Sequence, residues 1–294
     1  MPAQHDHCSS LHSFTGVLPK LLHQAWHAPK AEPTTAKEHA VPRQLAPLVS
    51  QWGANLKPFQ WTLHMWNSAD ARELWRSRMP RLLGLFDQYQ LAVQRADASR
   101  LLLMHIFGGI YADLDVAPCI EFTRSLEALN RSTSGTTLKL LLVREPRFGV
   151  SNFFVGSAPG HPFWRYAMRR LRASSKESDP VHSTGPQFFH AAWSRYDAEV
   201  TAEGCADVLH NATAIISLDA FQTSFAAHHW SGTWHDPTNA VAQHDPSLLL
   251  WLGVNHSETC PEARFGDVIA TRWRCLNKGS ACPKATCKCG ARSS

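Results

Sequence analysis

Several things are missing from this 294-residue chain, and each absence narrows what it can be. No apolar run approaches the ~18–20 residues that cross a bilayer. The stretch from Leu248 to Val254 is too short, and Leu101 to Tyr111 is interrupted by His105 and two glycines. The first residues, with Gln4, His5, Asp6 and His7, lack the apolar region of a signal peptide. The expectation is a chain that is soluble, or one lacking an anchor that a longer gene product carries. No Lys/Arg block is long enough to suggest nucleic-acid binding. There is no paired C-x-x-C spacing and no internal repeat. Charged residues make up only 18 %, but apolar residues reach 44 %, which excludes wholesale disorder. The length suits one α/β domain with embellishments.

Tryptophan is plentiful, at eleven. Its flat face suits stacking on sugars or bases, although core positions would absorb most of them. The formal net charge is +5, with a cluster at Arg165, Arg169, Arg170 and Arg172. That cluster reads first as a solvated helix face and second as a contact for an anionic membrane or a phosphorylated substrate. Five of the eight cysteines, Cys260, Cys275, Cys282, Cys287 and Cys289, lie in the last 35 residues. They suggest a disulfide-stapled segment in an oxidising compartment, with zinc as the rival. N-x-[ST] sequons begin at Asn130, Asn211 and Asn255 and point the same way, toward a secretory-pathway lumen.

Residues 1–16 read as a disordered lead, 17–235 as the folded domain and 236–294 as a Cys-rich basic tail. A first strand is expected within Val17–Trp26, another over Phe59–Trp66, and others at Leu138–Val143, Asn152–Gly156 and Ile215–Leu218. Helices are expected over Gln44–Trp52, Ala69–Trp75, Arg81–Tyr89, Pro162–Leu171 and Pro186–Tyr196. Strands mixed with helices imply an α/β sandwich.

The densest chemistry lies between Arg95 and Val116. Asp97 stands where a helix N-cap would, Gly108-Gly109 ends the helix, and Ile110–Val116 alternates as a strand. On a strand, Asp113 and Asp115 would share one face. Two adjacent carboxylates repel unless a cation sits between them, and oxygen-only ligands favour Mn²⁺ or Mg²⁺. Asp97 and Arg100, three apart, share a helix face just before them.

With its flanks, this stretch resembles the D-x-D-containing, sugar-binding glycosyltransferases of family 32, which include fungal Golgi α-mannosyltransferases and mannosyl inositol phosphorylceramide synthases. Leu18-Pro19-Lys20-Leu21-Leu22-His23-Gln24-Ala25-Trp26, Ser151-Asn152-Phe153-Phe154-Val155-Gly156, His161-Pro162-Phe163, Thr184-Gly185-Pro186 and His228-His229-Trp230-Ser231-Gly232-Thr233-Trp234 are similar to that family's pattern, in order. The resemblance implies a GT-A type nucleotide-diphospho-sugar transferase fold, a mixed central sheet flanked by helices. It also implies a retaining transfer of a hexose, from GDP-mannose or a UDP-sugar, to an inositol phosphoceramide or glycan acceptor. By the same similarity, Asp113, Asp115 and Arg100 are the catalytic residues. Trp26 stacks on the nucleobase, and Asp97, Arg100, Asn152, His229 and Trp234 hold the donor. Mn²⁺ (or Mg²⁺) is held by Asp113, Asp115 and His228. The implied location is the Golgi lumen or secretory pathway, with peripheral membrane contact and no nucleic-acid partner.

Three other readings compete on the residues alone. An aspartate-nucleophile phosphatase needs an acidic pair downstream, and none stands out. A sugar- or nucleotide-binding module without turnover would keep the same charged positions. A zinc-dependent interaction protein would be built on the cysteine tail.

Overall fold

The computed structural model describes residues 6–27, 41–43, 45–131 and 136–229. The Cys-rich tail, the third sequon and Trp234 lie outside them. The elements run α1 (His7–His12), β1 (Leu21–Ala25), α2 (Ala46–Leu56), β2 (Thr62–Trp66), α3 (Ser68–Arg78), α4 (Pro80–Gln88), α5 (Ala92–Ile106), β3 (Gly109–Ala112), β4 (Val116–Pro118) and α6 (Phe122–Arg131). They continue as β5 (Leu140–Glu145), β6 (Gly149–Ser157), α7 (Pro162–Ser174), α8 (Pro180–Ser183), α9 (Pro186–Ala202), α10 (Ala206–Asn211), β7 (Thr213–Ser217), α11 (Leu218–Ser224) and β8 (Ala226–His228).

Six strands form one mixed sheet in the order β2-β1-β3-β6-β5-β7. The pairs β2–β1, β1–β3 and β5–β7 are parallel, whereas β6 runs antiparallel to both β3 and β5. The carboxyl ends of β1, β2, β3, β5 and β7 therefore line one edge of the sheet, where α/β folds place their ligands. Helices cover both faces. Trp75, Phe86, Leu101, Leu103, Trp164 and Phe189 fill the core on the α3–α5, α7 and α9 side. Trp52, Leu56, Phe122, Leu126 and Phe221 fill it on the α2, α6 and α11 side. This is the mixed central sheet flanked by helices that the sequence implied. Trp52, Trp75 and Trp164 are wholly buried, so much of the tryptophan surplus is core. Among the described residues no helix is long and apolar enough to cross a membrane.

α5 ends where the glycines dictate. Gly108 (φ +63°) and Gly109 (φ +87°) both take left-handed backbone, and a Cβ at Gly108 would meet the backbone nitrogen of Pro159 at 2.5 Å. Only glycine turns the chain there so tightly from buried helix into buried strand.

One expectation needs correction. Residues 7–12, expected as disordered lead, form a helix whose Asp6 cap accepts from the Ser9 amide. The helix is tied down by a disulfide between Cys8 and Cys205, 197 residues apart. Removing such a link costs about 2–5 kcal/mol in small domains, chiefly by freeing the unfolded chain. Thermal unfolding with and without dithiothreitol should therefore show a lower midpoint on reduction. An unchanged midpoint would mean the link adds nothing to stability. The basic cluster is mostly exposed along α7, with the Arg170 guanidinium over Tyr166, the solvated face of an amphipathic helix.

Candidate active site

The site is built around Arg100, in the middle of α5. Its side chain is 3 % exposed and lies over the Tyr111 ring, 4.6 Å from the centroid. Nη1 donates to the backbone carbonyl of Asn152. Nη2 lies 2.8 Å from Asp97 Oδ1 and 2.9 Å from Asp113 Oδ1. One guanidinium thus clamps a helix residue, the end of β3 and the start of β6. Burial works against its charge, but Asp113, Tyr111 and Asp97 together hold its pKa above the already high ordinary value.

Asp97 is not a helix cap. α5 begins at Ala92, so Asp97 sits inside the helix, with no free amide to cap. Its carboxylate accepts from the Asn152 amide at 3.0 Å and the Thr184 hydroxyl at 3.1 Å, besides pairing with Arg100. Burial raises its pKa, and those three partners oppose the rise. A carboxylate offers roughly four lone-pair sites, and most of these are spent inside the protein. Asp97 and Asn152, expected to hold the donor, act first on each other and on Arg100. Thr184, within the Thr-Gly-Pro motif at the start of α9, is a partner that residue-by-residue reading did not single out.

Asp113 and Asp115 do not share a strand. β3 stops at Ala112, and the Val116 amide bonds back to the Asp113 carbonyl at 3.1 Å, closing a turn over 113–116. The turn is pinned from both sides: the Asp113 amide donates to Phe153, and Gln24 donates to the Asp113 carbonyl. Both carboxylates still reach the sheet edge. The Asp113 side chain keeps 29 % of its surface open and that of Asp115 14 %. Burial pushes the Asp113 carboxyl up to about 6, with Arg100 opposing and Asp115 and Asp97 adding.

His228 closes the far side. β8 pairs with β4, which sets His228 opposite Val116. Its Nε2 is 3.4 Å from Asp115 Oδ1, and its ring lies flat on Phe153, centroids 4.2 Å apart. The His229 amide donates to the Asp115 carbonyl. Trp26 follows β1 at the same edge, half-buried against Leu45, Leu48, Leu114 and Ala117, with its Nε1 unpartnered. His27 beside it was missed in the sequence. It is 2 % exposed, both ring nitrogens lack partners among the described residues, and burial with Arg95 and Arg100 nearby lowers its pKa to about 3.

The donor set fits a hard divalent cation. Two carboxylates, Asp97 and Asp113, pair with one guanidinium, and a third, Asp115, stands beside His228, so carboxylates outnumber guanidinium groups in the cluster. Carboxylate oxygens are what Mg²⁺ and Mn²⁺ prefer. Asp113, Asp115 and His228 do not converge into a closed cage. Among the described residues, the three-ligand group within 4.8 Å is Cys8, His12 and Cys205 at the disulfide. The turn after β3 thus presents two carboxylates at the sheet edge.

Residues 43–133 match the family model of the glycosyltransferase sugar-binding region containing the DXD motif. A mannosyl phosphorylinositol ceramide synthase of Saccharomyces cerevisiae is 31 % identical over 137 residues, 45 % of this chain and 33 % of that one. Inositol phosphoceramide mannosyltransferase 3 of Schizosaccharomyces pombe is 28 % identical over 187 residues, 62 % of this chain and 46 % of its own. The chain thus spans less than half the length of either relative. Among solved structures, the PaToxG glycosyltransferase aligns with a TM-score of 0.44 at 13 % identity, over 69 % of this chain and 80 % of that one. The resemblance noted in the sequence is borne out by the family model and by both fungal relatives.

Proposed function

Taking residues 43–133 as a DXD-containing glycosyltransferase sugar-binding region, we propose that this protein is a retaining hexosyltransferase that uses a nucleotide-sugar donor, GDP-mannose foremost. The acceptor is an inositol phosphoceramide, the substrate class in the names of both fungal relatives, or a glycan. One observation carries the reading: a buried arginine clamps Asp97 and Asp113 at the carboxyl edge of the sheet, with Asp115 and His228 across from it.

In this reading Trp26 stacks on the base, a contact worth ~1–3 kcal/mol. Asp97, Asn152 and Thr184 fix the Arg100 guanidinium before substrate arrives, so no reorganisation is needed during reaction. Arg100 and Tyr111 in turn orient Asp113. Asp113 and Asp115 would hold Mn²⁺ or Mg²⁺, which when bound neutralises the diphosphate leaving group. His228 keeps Asp115 in place, and His229 and Trp234 take the donor-binding roles that the family resemblance implies for them. No enzyme nucleophile is required. The acceptor oxygen bonds to the anomeric carbon on the face from which the diphosphate departs, and the departing phosphate oxygen takes the hydroxyl proton. The exposed arginines of α7 suit a phosphorylated lipid surface, and the Cys8–Cys205 link suits a secretory-pathway lumen.

Incubation with Mn²⁺ and a panel of GDP-mannose, UDP-galactose, UDP-glucose and UDP-N-acetylglucosamine tests this. Metal-dependent release of nucleotide from one donor is the expected result. Absence of both release and calorimetric binding for every donor would overturn it.

A further inference from the structure

One buried acid at the same edge has no part in the cluster just described. Glu145 is the last residue of β5, and β5 is separated from β3 by β6 alone. Its carboxylate therefore sits at the same carboxyl edge as Asp113, two strands along. The residue is 4 % exposed. Burial pushes its pKa up, and a hydrogen bond from Ser151 on β6 and the nearby Arg147 oppose the rise. Its Oε1 is buried without a partner among the described residues. Leaving a buried carboxylate oxygen unpaired is costly, and a donor arriving from outside the fold would relieve that cost.

The order of groups along the edge gives that donor a chemistry. Trp26 follows β1, Asp113 follows β3, and Glu145 ends β5 on the far side of β6. Val143, two residues before Glu145, packs in the same core cluster as Phe153, whose ring carries His228. Glu145 therefore belongs to the His228 side of the cleft, away from the base. We propose that Glu145 forms the acceptor subsite, its free oxygen accepting a hydrogen bond from a ring hydroxyl beside the attacking one on a neutral polyol ring, a hexose or an inositol. That contact sets the ring so that the attacking hydroxyl turns a lone pair toward the anomeric carbon and keeps its proton for the departing phosphate oxygen. A carboxylate there repels phosphate, so the subsite takes the ring and leaves any phosphate outside. The assignment rests on the transferase reading above.

The test uses the full chain, Mn²⁺ and whichever panel donor the native protein cleaves, with methyl α-mannoside as the acceptor. Glu145→Gln keeps the size and removes the charge; Glu145→Asp keeps the charge and withdraws it by one methylene. Both should bind the donor as the native protein does by calorimetry, yet release nucleotide about a hundredfold more slowly, as misplacement of a reacting group by ~1 Å does. Native turnover in Glu145→Gln overturns the proposal, and so does a loss of donor affinity that matches the loss of rate. If Glu145→Gln fails to fold, the same two outcomes in Glu145→Asp decide the matter. A native protein that binds no nucleotide sugar would instead overturn the transferase reading, a separate result from either.

Discussion

Asp115→Asn should slow nucleotide release by about a hundredfold or more, the usual cost of deleting one preorganised electrostatic group at a reacting centre. The change is nearly isosteric and leaves the fold alone. Asp115 sits in a turn fixed by backbone bonds from Val116 and His229, and its side chain meets His228 at 3.4 Å. The variant should melt close to the native protein. Steady-state release at saturating Mn²⁺ is the measurement, and near-native turnover would sink the assignment. Asp113→Asn should show the same kinetic loss together with a stability loss, because Asp113 also pairs with Arg100. The contrast between neighbouring aspartates separates a ligand role from an ion-pair role.

Arg100→Ala should be the most destabilising single change in the site. From sequence, Arg100 reads as a donor contact that could be removed without harm to folding; its surroundings say otherwise. The side chain is buried to 3 %, and its loss would leave the Asp97 carboxylate, itself 5 % exposed, facing Asp113 without a cation. Breaking a buried pair by removing one partner costs about 3–5 kcal/mol. Chemical denaturation at neutral pH measures it, and a variant as stable as the native chain would refute the clamp. The pH dependence has a definite sign. Burial raises the Asp97 pKa in the folded state, and Arg100 opposes that rise. Without Arg100 the folded carboxyl holds its proton more tightly than the unfolded one. The deficit should therefore shrink as pH falls below the folded pKa and grow as pH rises through it. Arg100→Lys, which keeps charge but loses the planar fork, should fall between.

The local half of the site was legible in the residues. Gly108-Gly109 announces a helix that stops and a strand that starts, because only glycine takes both left-handed positions without strain. Asp113-Leu114-Asp115 announces two carboxylates within reach of one ion, and that holds whether they lie on a strand or in a turn. The alternation that made them look like a strand, Ile110 to Val116, ran four residues past the true end of β3 at Ala112. A turn closed by a backbone bond from Val116 leaves no mark on side-chain periodicity. Asp97 misled for a related reason. Asp is favoured at N-caps by local bonding, but a buried ion pair to Arg100 and bonds from Asn152 and Thr184 outweigh that preference inside the helix.

By itself, the sequence determined the helix–glycine–strand unit, the identities of the charged groups and the mixed α/β class, because each depends on residues within a few positions of one another. Only the tertiary structure decided which groups meet. Asn152 and Thr184 lie 55 and 87 residues from Asp97, and the Cys8–Cys205 link spans 197. Glu145 and His228 reach the cleft only because β6 lies between β3 and β5, and β8 folds back onto β4. Strand order is fixed by burying both faces of one sheet at once, and no local pattern of residues encodes it.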